Sequence, residues 1–238
     1  MRTLRLRSQT SYANGSLMCT SGSVCAAVGI VTGVIDLQND IDETIVHTTE
    51  AAMELASHAQ GKVERLKGQR GSFGVHTNYT PHAMLGAEEM LRELGINAKR
   101  KGIGLETFII CEEGGKTKLE SGFTKQDQPM LYIPESCFIT LEHLPECIIH
   151  KDNEAPNGVA CTLTCNDHTI CIMYRDGLYA LFDPMPAVMI LKMNRQDLIK
   201  ELFIKCNIMN DMPRGDLERP PLQADATLFY LIPGRGIL

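Results

Sequence analysis

Residues 168–183 read HTICIMYRDGLYALFD, two strand-length apolar runs joined by Arg175-Asp176-Gly177. An Asp-Gly pair between such runs marks a tight β-hairpin, because the turn needs residues that tolerate positive φ. Pairing Thr169–Tyr174 with Leu178–Phe182 puts His168 and Asp183 side by side at one end of the hairpin. A carboxylate beside an imidazole holds the ring's tautomer and supports the imidazolium that forms when it takes a proton. The plain alternatives are a solvent-exposed His168 beside Asn166 and Asp167, and an Asp183 that merely stops a strand before Pro184.

Working outward, Val159–Cys165 reads as the preceding strand, and Leu105–Cys111, Met130–Ile133 and Ala226–Ile232 as further strands. A helix is predicted from about Asn194 to Cys206. Towards the N-terminus the period turns helical. One helix starts at Ser23 or Val24, runs to Leu37 and is apolar on every side, so it is central; Ser21-Gly22-Ser23 supplies its turn and N-cap. An amphipathic helix spans about Asp42–Leu66, and a third runs from Pro81 to Gly95. The first eighteen residues form a loop or short edge strand, and 67–80, 112–128 and 207–221 are loops. Helices followed by a mostly antiparallel sheet define an α+β layout. The expectation is one domain over 1–238, with a helical half to about residue 100 and a sheet half from about 101.

A cysteine in the first turn of a helix faces unpaired N–H groups and the positive dipole end, which favour its thiolate. The predicted helix start gives that place to Cys25, so the expected triad is Cys25 as nucleophile, His168 as base and Asp183 orienting the base. The alternative for Cys25 is a core cysteine in an Ala/Val-rich helix. Gln9, sixteen residues earlier, is the candidate oxyanion donor together with the Cys25 backbone N–H, with Asn14 as the competing choice. Cys161, Cys165, His168 and Cys171 invite a zinc reading, but their spacing matches no common finger or ribbon and strand alternation separates neighbours. The sequence holds no phosphate loop, GxSxG elbow, HExxH or dinucleotide fingerprint. No metal and no cofactor is expected.

The composition narrows the partners. A formal charge of −6 argues against broad nucleic-acid binding, which needs clustered Lys and Arg. Nine cysteines at irregular spacing do not form a disulfide framework, and the odd count suits a reducing compartment, cytoplasm or nucleus. Val24–Leu37 is too short to span a bilayer and contains Thr32 and Asp36, so no membrane partner is expected.

Three short pieces resemble a known family, the deubiquitinating protease domain at the N-terminus of herpesvirus large tegument proteins. Ser21-Gly22-Ser23-Val24-Cys25 is similar to that family's segment opening a buried helix. Phe182-Asp183-Pro184 is similar to its Phe-Asp-Pro motif, and Asp225-Ala226-Thr227-Leu228-Phe229-Tyr230 to its final strand. The family carries its catalytic histidine two residues after the aspartate, where this sequence has Met185. The resemblance implies a papain-like cysteine protease fold that cleaves after the Gly-Gly tail of ubiquitin or a ubiquitin-like protein. It also implies the setting of a virus-infected host cell or virion. Met185 leaves two ways to read the chain: His168 supplies the base from a strand, or the fold is a catalytically inactive binding module. A papain-like acyltransferase, or a peptidase with another substrate, keeps the same chemistry with a different acceptor or target.

Overall fold

The computed structural model describes residues 1–13, 18–39, 41–69, 103–111, 138–152, 155, 157–165, 168–210 and 223–232. Eight strands form one sheet: β1 (Arg2–Arg5), β2 (Ile103–Cys111), β3 (Phe138–Ile139), β4 (Val159–Cys165), β5 (His168–Arg175), β6 (Leu178–Asp183), β7 (Val188–Met193) and β8 (Gln223–Leu231). Their order is β1-β7-β6-β5-β4-β8-β2-β3. Every pairing is antiparallel except β2 with β3. Among the described residues four α-helices accompany it: α1 (Cys19–Val31), α2 (Asp42–Gln69), α3 (Leu144–Asp152) and α4 (Arg195–Asn210).

The central strands are buried along nearly their whole length, and alternation sorts their side chains between two cores. Cys171, Met173, Ala180 and Phe182 join α1 and α2 on one face. Ile170, Ile172, Tyr179 and Leu181 join Leu144 and Ile148 of α3 and Leu198 and Leu202 of α4 on the other. The sheet is therefore the middle of three layers. Phe182 and Phe229 are among its largest fully buried side chains, and each such burial stabilises the fold by roughly 1.5–3 kcal/mol.

The hairpin forms as its turn chemistry dictates. Asp176 and Gly177 both take positive φ, 50° and 83°, so the turn matches the twist of β5 and β6. Their register pairs Arg175 with Leu178 and Cys171 with Phe182. Continued by one residue, it sets Asp183 opposite Ile170, so His168 lies two positions further out on the same face.

α1 is buried from Ser21 to Val31, as a central helix must be, but its bounds differ from those expected. It opens at Cys19, before Ser21-Gly22-Ser23, and stops at Val31 because Gly33 turns the chain at φ 76° and its N–H bonds Ile30 O at 2.9 Å. α2 follows its expected course. β3, β7 and α3 were not anticipated; α3 carries Pro145 in its first turn, where its missing N–H costs nothing. β1, from the first residues, is the edge strand allowed for there, and it pairs with β7. The expected helix Pro81–Gly95 and strand Met130–Ile133 lie outside the described residues, as does Asn14.

Candidate active site

Small polar side chains at the start of α1 fit it closely against the sheet. Thr20 Oγ1 lies 2.9 Å from Thr169 Oγ1, which also lies 3.0 Å from Thr164 Oγ1, and Ser23 Oγ donates to Thr169 O at 2.9 Å. On the opposite side a Cβ added at Gly22 would stand 2.7 Å from Met53 Sδ, so glycine lets α2 press against this turn. The first turn of α1 is thereby fixed to the opening of β5. Cys19 is the first residue of that turn, half-buried, and its thiol interacts with His168, the first residue of β5.

His168 and Asp183 meet at the sheet end. His168 Nε2 is 2.8 Å from Asp183 Oδ1, and both residues are buried, at 5% and 3% exposure. Asp183 Oδ1 also accepts the Met185 N–H at 3.3 Å, while Lys205 Nζ of α4 binds Oδ2 at 2.5 Å. Met185, at the position where the resembling family has its histidine, is 43% exposed, and the imidazole on Asp183 is that of His168. With Nε2 on the carboxylate, Nδ1 is the ring nitrogen left for the Cys19 proton.

The electrostatics favour charge separation. Burial works against the Cys19 thiolate, but the His168 hydrogen bond and charge, the Thr169 backbone N–H and the Thr20 hydroxyl outweigh it and hold the thiol below its ordinary value of 9.0. Burial likewise lowers His168, yet the Asp183 and Cys19 hydrogen bonds and charges raise it from 6.5 to about 9. Burial raises Asp183, and His168 and Lys205 reverse this, lowering it below 3.8. Shifts in these directions favour a thiolate–imidazolium pair over the neutral one.

The structure brings His168 and Asp183 together with Cys19 rather than Cys25. The two cysteines are six positions apart on the helix, about 9 Å along the axis. Cys25 is 1% exposed in the core between α1, α2 and the sheet, where burial pushes its thiol up to about 12. The expectation failed on the helix start: Ser21-Gly22-Ser23 is a packing stripe inside α1, not its cap. Gln9 begins a one-turn 3-10 helix, Gln9–Ser11, capped by Ser8. It is 4% exposed, and its Oε1 has no hydrogen-bond partner among the described residues. Lys205 was not anticipated at all, and nothing in its local sequence marks it.

Of the cysteines in the discarded zinc set, Cys161 and Cys165 join the α3–α4 core while Cys171 joins the α1–α2 core. Among the described residues no group of three or more His, Cys, Asp or Glu side chains is placed to hold a metal ion. None of the described helices is long and apolar enough to cross a membrane.

No protein-family model matches the chain, and no curated protein does. Among solved structures, it resembles the ubiquitin-specific protease encoded by murine cytomegalovirus tegument protein M48, which was crystallised in complex with a ubiquitin-based suicide substrate. That likeness has a TM-score of 0.57 and 13% identity, and covers 97% of this chain and 86% of the other. Pseudomonas avirulence protein AvrPphB also matches, with a TM-score of 0.49 and 12% identity, over 94% of this chain and 100% of that one. The chain has a mixed α+β, papain-like cysteine protease fold.

Proposed function

We propose that this protein is a cysteine peptidase in which Cys19 is the nucleophile, His168 the general base and acid, and Asp183 the group that orients His168. The observation that carries this reading is the chain of contacts from the Cys19 thiol through His168 to Asp183. In its first step the Cys19 thiolate adds to the scissile carbonyl carbon. The tetrahedral oxyanion then collapses to a thioester as His168 hands its proton to the departing amine. Water, deprotonated by His168, attacks the thioester and releases the acid and the thiol. The oxyanion is held by the backbone N–H of Cys19, in a helix turn whose N–H groups have no intrahelical acceptor, and by the side-chain amide of Gln9.

The substrate is the extended C-terminal tail of ubiquitin or a ubiquitin-like protein, cleaved after Gly-Gly. The fold-level likeness to a ubiquitin-specific protease supports this, as do the sequence pieces around Phe182-Asp183-Pro184 and Asp225–Tyr230. A diglycine tail suits such a nucleophile, because glycine lets a backbone approach it closely.

The test is reaction with ubiquitin bearing a C-terminal electrophile, followed by mass mapping. One adduct on Cys19, absent in Cys19→Ala and His168→Ala and retained in Cys25→Ala, is the expected result. An adduct on Cys25, or none while Cys19 alkylates no faster than the other cysteines, overturns the reading.

A further inference from the structure

Asp183 has two cationic partners, and only one of them belongs to the proposed triad. His168 Nε2 takes Oδ1 at 2.8 Å, and Lys205 Nζ takes Oδ2 at 2.5 Å. Lys205 comes from α4, in the layer opposite α1, and its side chain is 20% exposed while that of Asp183 is 4% exposed. A buried carboxylate gripped at both oxygens cannot turn about its terminal bond without breaking a charge-assisted hydrogen bond. We propose that Lys205 is a positioning residue of this site, holding the Asp183 carboxylate so that Oδ1 faces His168 and setting how much of its charge the imidazole receives.

The charge count shows what Lys205 does. With Asp183 ionised, His168 protonated and Cys19 a thiol, the three groups without Lys205 sum to zero, and ionising Cys19 leaves a buried net charge of −1. With Lys205 present, the same ionisation takes the cluster from +1 to zero. The lysine therefore favours the resting thiolate. It also opposes excess proton binding at His168, because its positive charge offsets part of the Asp183 field. Losing Lys205 should move both titrations upward; losing the Asp183 charge should move both downward. Packing damage alone has no reason to give that pattern.

The groups facing His168 among the described residues are Cys19 of α1, Asp183 of β6 and, through Asp183, Lys205 of α4. Cys165 of β4 stands opposite His168 in register and shares a hydrogen bond with Cys206 of α4. Their contact, with burial, keeps the Cys206 thiol well above its ordinary range, so Cys206 does not titrate near neutrality.

This inference rests on the Cys19–His168–Asp183 reading, and the experiment separates the two. The imidazole of His168 is titrated by NMR, and the pH dependence of Cys19 alkylation by iodoacetamide is measured, in the wild-type protein and in Lys205→Met, Lys205→Arg and Asp183→Asn. Expected is a rise of about one pH unit in both titrations for Lys205→Met, near-wild-type values for Lys205→Arg, and a fall in both for Asp183→Asn. If the wild type shows no perturbed Cys19 or His168, the functional reading fails first. If it does, but Lys205→Met titrates as wild type or Lys205→Arg shifts as far as Lys205→Met, the role given to Lys205 is overturned.

Discussion

Thr20 Oγ1 and Thr169 Oγ1 stand 2.9 Å apart, joining the first turn of α1 to the start of β5 across 149 residues of sequence. The contact lies one residue beyond each of the two proposed reacting groups, Cys19 and His168. Thr20→Val removes it and leaves Thr169 its 3.0 Å contact with Thr164. The expected cost in denaturant unfolding is about 1 kcal/mol. Cys19 alkylation at pH 7 should slow several-fold, because the thiolate also loses the Thr20 hydroxyl. An unchanged alkylation rate would show that the clamp does not set the geometry.

Cys25 and Cys19 should separate cleanly by substitution. Cys25→Ala removes a sulfur from a closed core and should lower stability by about 1–2 kcal/mol, or roughly 2–8 °C in Tm, while leaving peptidase activity in place. Cys19→Ala should do the reverse, abolishing activity with little change in Tm. Calorimetry beside a fluorogenic ubiquitin-tail assay checks both.

The pH dependence has a definite sign. Cys19 is lowered from 9.0, so its alkylation should stay fast at pH values where an ordinary thiol is protonated, and fall only below its own shifted value. In the proposed mechanism hydrolysis also needs protonated His168 to release the amine, so kcat/KM should decline as the pH climbs through about 9. Because folding raises His168 from 6.5, its contribution to stability is complete below 6.5 and lost as the pH rises through about 9. Asp183 is lowered, so its contribution is present above 3.8 and lost as the pH falls through its folded value. The Tm gap between wild type and His168→Gln should therefore close above about pH 9. A gap that persists to pH 10.5 would contradict the raised imidazole.

Gln9→Ala should reduce kcat by about 10²–10³-fold with little change in KM, the signature of a donor engaged only with the oxyanion. A loss confined to KM would place Gln9 in substrate binding instead. Arg7 and Tyr12 frame this turn: the Arg7 guanidinium lies 4.1 Å from the Tyr12 ring centroid, and the Arg7 N–H donates to Glu50 of α2 at 2.7 Å. The segment that carries Gln9 is thus anchored to α2 through Arg7.

Much of this was legible in the sequence wherever local chemistry decides. The hairpin follows from Asp176-Gly177, and with it the neighbourhood of His168 and Asp183, since a two-residue turn leaves no freedom of register. The start of α1 was not legible. Ser21, Gly22 and Ser23 have the composition of a helix cap, and only their fit against Thr169 and Met53 shows that they lie inside the helix. That displacement of about one turn puts Cys25 rather than Cys19 in the expected first turn. Lys205 lies between Ile204 and Cys206 in a helix with no catalytic signature, and its contact with Asp183 exists only once α4 packs on the sheet. β7 was not anticipated; its short run follows Pro184 and Pro186, residues that do not signal a strand.

The sheet order sets β4 beside both β5 and β8, and the N-terminal β1 beside β7, so its centre and its edge close through contacts distant in sequence. Cys19 reaches His168 only after α1 has docked on β5, 149 residues along the chain. A newly made or partly unfolded chain therefore carries Cys19 as an ordinary thiol, sluggish towards electrophiles at neutral pH. The Cys19–His168 pair, and any chemistry that depends on it, therefore comes into being only once the architecture is finished.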